Sequence, residues 1–369
     1  MTIPPILQTI SAQLQLLGAR AILVGGSVRD HFLNLPIKDY DIEVYGLERF
    51  EQLEALLQKF GSVKLVGKSF GVLKFVHEGK EYDFAFPRVE KKIGRGHRGF
   101  AVEVDGMLDF RSAARRRDFT INAMGYDIEQ HLYLDPFGGK KDLEAHILRH
   151  IDDNTFIEDP LRLYRGVQFC ARFGLTMHPS TQMLCREMAE KGLLEELPKE
   201  RIFTELRKLL LQSQRPSVGW ELIRKLGVLQ DFPPLYTLPQ DQWQMTLRRL
   251  DMMAVSKHAA EKKALVLMLA ALCFSCSQEQ AALFLEILSD EVKLRDAVCT
   301  LVRHHDTIDT IYAADPDLRD TLLRKLATEV TIADLTEVAR ADYFARYPDA
   351  HHYAAGDWIL SRASVQKLS

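Results

Sequence analysis

The sequence lacks several features that would mark a membrane or secreted protein. It has no stretch of about 18 apolar residues, so we expect no transmembrane helix and no membrane partner. Its first residues lack a basic segment and a small-residue cleavage site, which argues against a signal peptide. The five cysteines are scattered without framework spacing, which predicts reduced thiols and a cytoplasmic location. Cys273 and Cys276 form a CxxC in an apolar run, and we interpret them as core residues.

The sequence also lacks a strong charge of either sign. The net charge is −3 over 369 residues, so any surface that binds nucleic acid must be a local basic patch. The length exceeds what one core usually organises, so we expect two or more units in a row. The oligomeric state is left open.

The order of apolar patterns predicts an α+β protein. In the first ~150 residues strand-like and helix-like runs alternate, which favours a mixed β-sheet with helices on one side. Beyond residue 150 apolar spacings of three and four dominate, which predicts an all-helical remainder. The expected strands are 20–24, 40–45, 63–67, 71–77 and 81–86, and the expected early helices are 27–34 and 48–60.

A glycine pair stands where the first strand should turn into a helix. Gly25 and Gly26 would let backbone N–H groups approach a ligand, and a helix start favours phosphate oxygens. Ser27 and Arg29 can add donors to the same phosphates. An ordinary strand-to-helix turn would use the same residues, so this motif is weak by itself.

Two aspartates follow about 14 residues later. Asp39 and Asp41 are two apart on a predicted strand, so their side chains should share one face of the sheet. Two carboxylates beside a phosphate cradle suit Mg²⁺, which binds few carboxylates together with substrate phosphates. A metal pair there can activate an attacking hydroxyl and stabilise a leaving pyrophosphate.

A third motif, R-R-D-F-T-I-N-A, begins at Arg116. Adjacent arginines suit triphosphate binding because the guanidinium presents a fixed fork of donors. Asp118 beside Arg117 can accept from a ribose hydroxyl. The alternative is a helix end capped by Asp118.

A fourth motif, E-D-P-L-R-L-Y-R, begins at Glu158 and fits a helix start with Pro160 at its first position. Asp159 and Arg162 are three apart, so an acceptor and a donor can point to one spot. Cytosine and adenine each offer an amino donor beside a ring-nitrogen acceptor, whereas uracil and guanine offer the reverse. Each mismatched contact in a dry pocket costs about 1–3 kcal/mol, so the pair can select CTP and ATP without a template. A capping residue in a surface ion pair would give the same pattern.

Together these motifs resemble the class II tRNA nucleotidyltransferase and bacterial poly(A) polymerase superfamily. The resemblance covers roughly residues 20–230. It implies that Asp39 and Asp41 are catalytic and bind the metal ions, and that Asp118 selects ribose with help from Arg117. It implies base reading by Asp159 and Arg162. The expected nucleotide-binding residues are Gly25, Gly26, Ser27, Arg29, Arg117, Asp118, Asn122, Glu158, Asp159, Arg162 and Arg165, with Glu158 orienting the arginine and Arg165 contacting triphosphate or supporting the pocket.

The resemblance implies a nucleotidyltransferase head at 1–140, a helical neck with the base-reading motif at 141–230, and a helical, RNA-binding body and tail at 231–369. The implied reaction adds C and A to tRNA 3′ ends from CTP and ATP. A poly(A) polymerase, a CC-only or A-only enzyme, and a non-catalytic RNA-binding relative remain alternatives. A phosphohydrolase is disfavoured because His304-His305-Asp306 lacks an upstream ligand partner.

One further residue and three further segments carry weaker predictions. Asp83, on a later strand, is a candidate third carboxylate. The basic glycine-rich segment at 88–99 predicts a mobile loop, which in the family accompanies A addition. Asp135–Gly139 predicts a turn before a helix, which in the family is a hinge, and residues 197–202 should open a neck helix.

Overall fold

The structure is a computed structural model that describes residues 1–66, 71–92, 100–255 and 260–368. The chain divides into two compact units. The first comprises Met1–Arg162, Leu175–Met188 and Leu193–Glu196, and the second comprises Leu163–Gly174, Ala189–Gly192 and Leu197–Ser369.

The first unit is built around a mixed sheet. In the described residues the strand order is β3-β4-β5-β2-β1-β8-β9, and every neighbouring pair is antiparallel except the parallel pair β2 and β5. The strands are β1 (Arg20–Val24), β2 (Asp41–Tyr45), β3 (Ser62–Val66), β4 (Val72–His77), β5 (Lys80–Ala85), β6 (Arg88–Lys92), β7 (Phe100–Val104), β8 (Gly125–Asp127), β9 (Leu132–Leu134), β10 (Ile147–Leu148) and β11 (Thr176–Met177).

Short helices alternate with these strands. A 3₁₀ turn, Thr120–Asn122, follows α4 and leads into β8. The helices of residues 1–190 are α1 (Pro5–Leu16), α2 (Gly26–Phe32), α3 (Phe50–Leu57), α4 (Phe110–Arg115), α5 (Gly139–Glu144), α6 (Asp153–Glu158), α7 (Leu161–Phe173) and α8 (Pro179–Glu190).

The face of β1 and β2 that carries the site is apolar at one end and acidic at the other. The register pairs Ile22 with Glu43, so these two side chains lie on the same face. Ile22, Val24 and Tyr45 pack on this face with Ala113 of α4. Since side chains alternate along a strand, Asp41, Glu43 and Tyr45 form one row that runs from solvent into the core.

The second unit is helical in its described residues. It is cored by aromatic residues, among them Trp220, Phe232 and Phe284, whose rings lie within about 6 Å of one another. Its further helices are α9 (Lys199–Gln212), α10 (Pro216–Lys225), α11 (Pro233–Tyr236), α12 (Gln240–Val255), α13 (Glu261–Cys273), α14 (Gln278–Leu288), α15 (Val292–Arg303), α16 (Thr307–Ala313), α17 (Pro316–Ala327), α18 (Ile332–Arg346) and α19 (Ala354–Val365).

One buried ion pair lies inside this helical unit. Arg249 of α12 is 2% exposed and donates to Asp342 of α18, to the Ala271 carbonyl and to the Ser275 hydroxyl. The guanidinium therefore has partners on two other helices, α13 and α18, and on the segment after α13. Among the helices of the described residues, none has the length and apolarity that a bilayer crossing requires.

The predicted fold class is confirmed: a mixed-sheet first unit followed by helices. The five cysteines are free, as predicted, and buried, and Cys273 and Cys276 of the CxxC are part of the core. The prediction of a loop at 88–99 was wrong for 88–92, because β6 pairs with β7 in an antiparallel ribbon. Residues 93–99 lie outside the described residues.

Two element boundaries also differ from prediction. Asp39 precedes β2, which begins at Asp41, so the aspartates do not both lie on the strand. The helix start predicted at Pro160 is observed as α7, one residue later at Leu161, but Glu158 is also the last residue of an unpredicted helix, α6. The reason is a second helix start upstream, where the Asp152 carboxylate caps α6 by accepting from the Thr155 N–H.

Candidate active site

The glycine turn lies where predicted, between β1 and α2. Gly25 has φ 70° and ψ −126°, a conformation that side chains rarely adopt, which explains glycine here. The Ser27 side chain is buried, and its hydroxyl donates to the Val24 carbonyl at 3.2 Å. That hydroxyl therefore holds the turn in this structure.

Arg29, Asn122 and Asp118 form a buried network under the turn. The Arg29 Nη1 donates to Asn122 Oδ1 at 2.8 Å, and the Asn122 amide donates to Asp118 Oδ1 at 2.9 Å. Asp118, which is 7% exposed, also accepts from the Phe119 N–H. Asn122 therefore links the glycine-turn arginine to the predicted ribose-selecting carboxylate. Arg29 also donates to Asp30.

The predicted metal-binding carboxylates lie at the open end of the acidic row. Asp39 and Asp41 are exposed, and Asp41 is paired in register with Asp83 of the parallel strand β5. Burial by surrounding atoms raises the pKa of Asp41 against the opposing charge of Arg117, although its side chain keeps solvent contact. The nearby carboxylates of Asp83, Asp39 and Glu43 raise this pKa further. Burial raises the pKa of Asp83 against the opposing charge of Lys74, and the carboxylates of Glu81 and Asp39 raise it further.

The donor set at this end fits a divalent cation. Carboxylate oxygens are the ligands that hard ions prefer, and crowded acids favour a bound cation. Asp39 and Asp41 would be the ligands, with Asp83 beside them. In the residues that the structure describes, no three acidic, His or Cys side chains form a complete protein cage. A small divalent ion held by two carboxylates takes its remaining ligands from phosphates and water.

Arg116 and Arg117 meet a carboxylate that the sequence reasoning missed. Glu43, 4% exposed, accepts at Oε1 from Arg117 Nη2 at 2.9 Å and from Arg116 Nη2 at 3.2 Å. Burial opposes the charge of Glu43, but Arg117 and Arg116 outweigh it and lower its pKa. The signal was available in the sequence, because Glu43 is two residues after Asp41 and therefore on the same face of the strand.

The predicted base-reading arginine is anchored to the first unit. Arg162 donates from Nη1 to the Thr155 carbonyl at 2.8 Å and from Nη2 to the Arg116 carbonyl at 2.6 Å. Asp159 Oδ1 accepts from the Leu161 N–H at 3.3 Å. The structure thus connects Arg162 with the R-R-D segment through a backbone carbonyl.

The remaining predicted residues have contacts within the second unit. Arg165 of α7 stacks over the Phe169 ring, with its guanidinium carbon 5.4 Å from the centroid. His304 directly follows α15, and its ring contacts the Thr307 hydroxyl and the Glu329 carboxylate. His305 lies against the Phe274 ring. These contacts give the histidine pair packing roles.

Two family models match the chain in this region. The model described as poly A polymerase head domain matches residues 21–149. A second, described as a probable RNA and SrmB-binding site of polymerase A, matches residues 174–237. Together they account for slightly more than half of the chain. The chain belongs to the tRNA nucleotidyltransferase and poly(A) polymerase superfamily.

Curated members of this superfamily carry one recurring name. A "Multifunctional CCA protein" from Stenotrophomonas maltophilia (strain K279a) is 41% identical over 225 residues, 59% of this chain and 53% of the relative. One from Neisseria gonorrhoeae (strain NCCP11945) is 39% identical over 222 residues, 59% of this chain and 52% of the relative. The chain therefore spans about half the length of the curated relatives it matches.

Solved structures of the superfamily share the fold. The Bacillus stearothermophilus CCA-adding enzyme in complex with CTP is 24% identical with a TM-score of 0.71, covering 99% of this chain and 83% of that one. A tRNA nucleotidyltransferase with a primer tRNA and an incoming ATP analogue is 22% identical with a TM-score of 0.73, covering 98% of this chain and 100% of that one. At these identities the likeness concerns the fold.

Proposed function

We propose that this protein adds C and A residues to the 3′ end of tRNA, using CTP and ATP and releasing pyrophosphate. The observation that carries the proposal is the Arg162–Arg116 hydrogen bond. It ties the base-reading motif to the arginine pair, and Arg117 of that pair lies against the glycine turn, where a Cβ on Gly25 would stand 3.1 Å from its Nη1. Names of the relatives and neighbours support the same reaction.

Triphosphate binding falls to the glycine turn and to Arg117. The turn offers backbone close to the ligand, and Arg117 supplies a guanidinium whose charge survives burial. Burial lowers the pKa of Arg117, but Glu43 and further acids raise it, and the net shift is upward. The arginine therefore stays cationic and binds phosphate oxygens by charge-assisted hydrogen bonds.

Mg²⁺ is the metal that we propose for Asp39 and Asp41. When bound, it supplies activation of the RNA 3′-hydroxyl and stabilisation of the departing pyrophosphate. The protein contributes the two carboxylates and the position of the α-phosphate relative to them. Asp118 accepts from a ribose hydroxyl, which selects ribonucleotides over deoxyribonucleotides.

Base choice falls to Asp159 and Arg162. A guanidinium has five N–H donors, and the two hydrogen bonds of Arg162 to main-chain carbonyls leave others for a base. These bonds also fix the plane of the guanidinium, so its donors have a set direction. The Asp159 carboxylate accepts a hydrogen bond from the exocyclic amino group that both cytosine and adenine have. In the structure the Thr155 and Arg116 carbonyls orient the arginine, and the orienting role expected of Glu158, at the end of α6, stays a prediction.

We place RNA binding in the helices of 231–369, through shape and backbone contacts that weaken as salt rises. The divisions at 140 and 230 and the cytoplasmic location stay predictions.

A primer-extension assay tests the function. The full chain is incubated with Mg²⁺, each NTP separately, and tRNA ending before CCA, after the first C, or after CC. Addition of C, C and A that then stops is the expected result. A long A tail would identify a poly(A) polymerase, addition of only CC or only A a partial enzyme, and RNA binding without extension a non-catalytic relative.

Paired variants test the site. Asp39→Ala with Asp41→Ala should abolish extension with every nucleotide, because the metal ligands are removed. Glu51→Gln, an exposed acid of α3, should extend like the wild type. Retained activity in the double variant would refute the metal assignment. Arg162→Lys should relax base choice more than it weakens triphosphate binding, and unchanged base choice would refute base reading.

A further inference from the structure

Glu43 is the one acid of the β2 row with no part in the proposed chemistry so far. It shares its face of the strand with Asp41, yet it is buried where Asp41 is exposed. It receives hydrogen bonds from three donors: the phenol of Tyr45 and one guanidinium N–H each from Arg116 and Arg117. Both oxygens of this carboxylate already accept hydrogen bonds from protein donors, so we do not regard Glu43 as a metal ligand.

The two oxygens of Glu43 have different partners. Oε2 accepts from the Tyr45 hydroxyl at 2.6 Å, whereas Oε1 accepts from both arginines. The Tyr45 ring is packed in the core with Ile22, Val24 and Ala113. The carboxylate is therefore fixed from the core side and presents its other oxygen to the arginines. A charged pair in this setting has strong directional preference.

Arg117 spans the distance from Glu43 to the glycine turn. Its Nη2 is bound by Glu43, and its Nη1 is the atom that a Cβ on Gly25 would meet at 3.1 Å. The guanidinium is rigid and planar, so fixing one arm fixes the direction of the other. Gly25 leaves open the space beside that second arm.

We propose that Glu43 is a positioning residue that holds Arg117 by one arm so that its other arm meets the triphosphate at the glycine turn. This inference rests on the proposed function. Without Glu43 both arginines lose the carboxylate that they share. Ordering their side chains then takes place on triphosphate binding and reduces the binding free energy. Nucleotide binding weakens, while RNA binding, which uses other surfaces, does not.

The test compares Glu43→Gln with a matched buried acid on the same sheet. Glutamine keeps size and one acceptor but loses the charge. The control is Asp127→Asn: Asp127 of β8 is also fully buried and bonded to an arginine, Arg20, at 2.8 Å. Both variants remove a buried charge, but the Asp127 pair does not include Arg117.

Three quantities are measured on the full chain: KM for CTP, KM for the tRNA primer, and binding of inorganic triphosphate by calorimetry. In Glu43→Gln the KM for CTP and the triphosphate Kd should rise about tenfold or more, since a charge-assisted bond is lost. The KM for tRNA should stay within about twofold. Asp127→Asn should lower the Tm but leave all three quantities near wild type.

Two results would overturn the proposal. One is an unchanged KM for CTP and triphosphate Kd in Glu43→Gln; the other is an equal rise in Asp127→Asn, which would indicate a merely structural role. If Glu43→Gln does not fold, Tyr45→Phe decides, because it removes only the hydroxyl that fixes Oε2: a rise of about threefold in KM for CTP supports the proposal and no rise overturns it. A wild type that binds triphosphate but extends no RNA contradicts the proposed function alone.

Discussion

We predict that any side chain at Gly139 displaces the 3₁₀ turn Thr120–Asn122 of the candidate active site. It opens α5, and a Cβ there would stand 2.2 Å from the Thr120 carbonyl oxygen and 2.8 Å from the Thr120 carbonyl carbon. Ordinary contact begins near 3.4 Å, so in Gly139→Ala the backbone of the 3₁₀ turn must retreat by about 1.2 Å. The turn cannot yield by a rotamer change, because the obstacle is main chain.

The displaced turn carries Asn122, which bonds both Arg29 and Asp118. Misplacement of a reacting group by about 1 Å costs roughly a hundredfold in rate. We therefore expect kcat/KM for CTP addition to fall about a hundredfold in Gly139→Ala. Overpacking should also lower the free energy of unfolding by about 1–3 kcal/mol.

Gly138→Ala is the matched control. Gly138 precedes it with φ 76°, and a Cβ there meets no atom within 4 Å. That variant carries about 1–2 kcal/mol of backbone strain without pushing the turn. Steady-state kinetics and urea unfolding measure both effects. If Gly139→Ala folds and keeps kcat/KM within about threefold of wild type, the steric reasoning is wrong.

Three further predictions concern sugar choice, thiol reactivity and the helical core. Asp118→Asn should lower the preference for CTP over dCTP about tenfold or more, measured as the ratio of kcat/KM values, because the ribose loses a charged acceptor. Burial raises the pKa of Cys185 to about 12 and that of Cys276 to about 11, so few thiolates form at pH 8 and thiol reagents should label them only on unfolding. Asp342→Ala should lower the free energy of unfolding, measured with urea, by about 3–5 kcal/mol, because the buried Arg249 guanidinium loses its carboxylate partner.

A control variant or a contradicting result accompanies each of these three predictions. Asp320→Ala breaks an ion pair with Arg362 at the surface and should hardly change the unfolding curve. Labelling of native protein at pH 8 would contradict the thiol burial. An Asp118→Asn variant with full sugar discrimination would remove that residue from ribose selection.

The elements of the fold were largely predictable because their signals are local. Alternating apolar residues marked β3, β4 and β5 within a residue or two, and the glycine pair marked the turn before α2. The start of α6 was missed because its cap, Asp152, precedes only a short apolar run. The β6–β7 ribbon was missed because β6 (Arg88–Lys92) is mostly charged and stands beside a glycine-rich segment, which gave no strand-like apolar alternation in the sequence.

The candidate site was predictable in its members but not in its connections. Glycines, aspartates and arginines of the motifs have chemistry that suits phosphate and metal. Glu43 escaped because a third acid on a strand usually reads as solvated, and only the fold brings Arg116 and Arg117, more than 70 residues away, onto it. The Arg162–Arg116 bond uses a backbone carbonyl, which no side-chain pattern encodes.

The Arg116 carbonyl, which accepts from Arg162, links the residue proposed to select the base to the segment proposed to bind the phosphates. Replacing the Arg116 side chain leaves the tether of Arg162 in place, since the acceptor is the peptide oxygen itself. Only movement of the main chain can shift it, and the next residue along that main chain is Arg117. Under the proposed function, a nucleotide whose phosphates bind poorly at Arg117 would also displace Arg162, so one peptide group would couple phosphate binding to base choice.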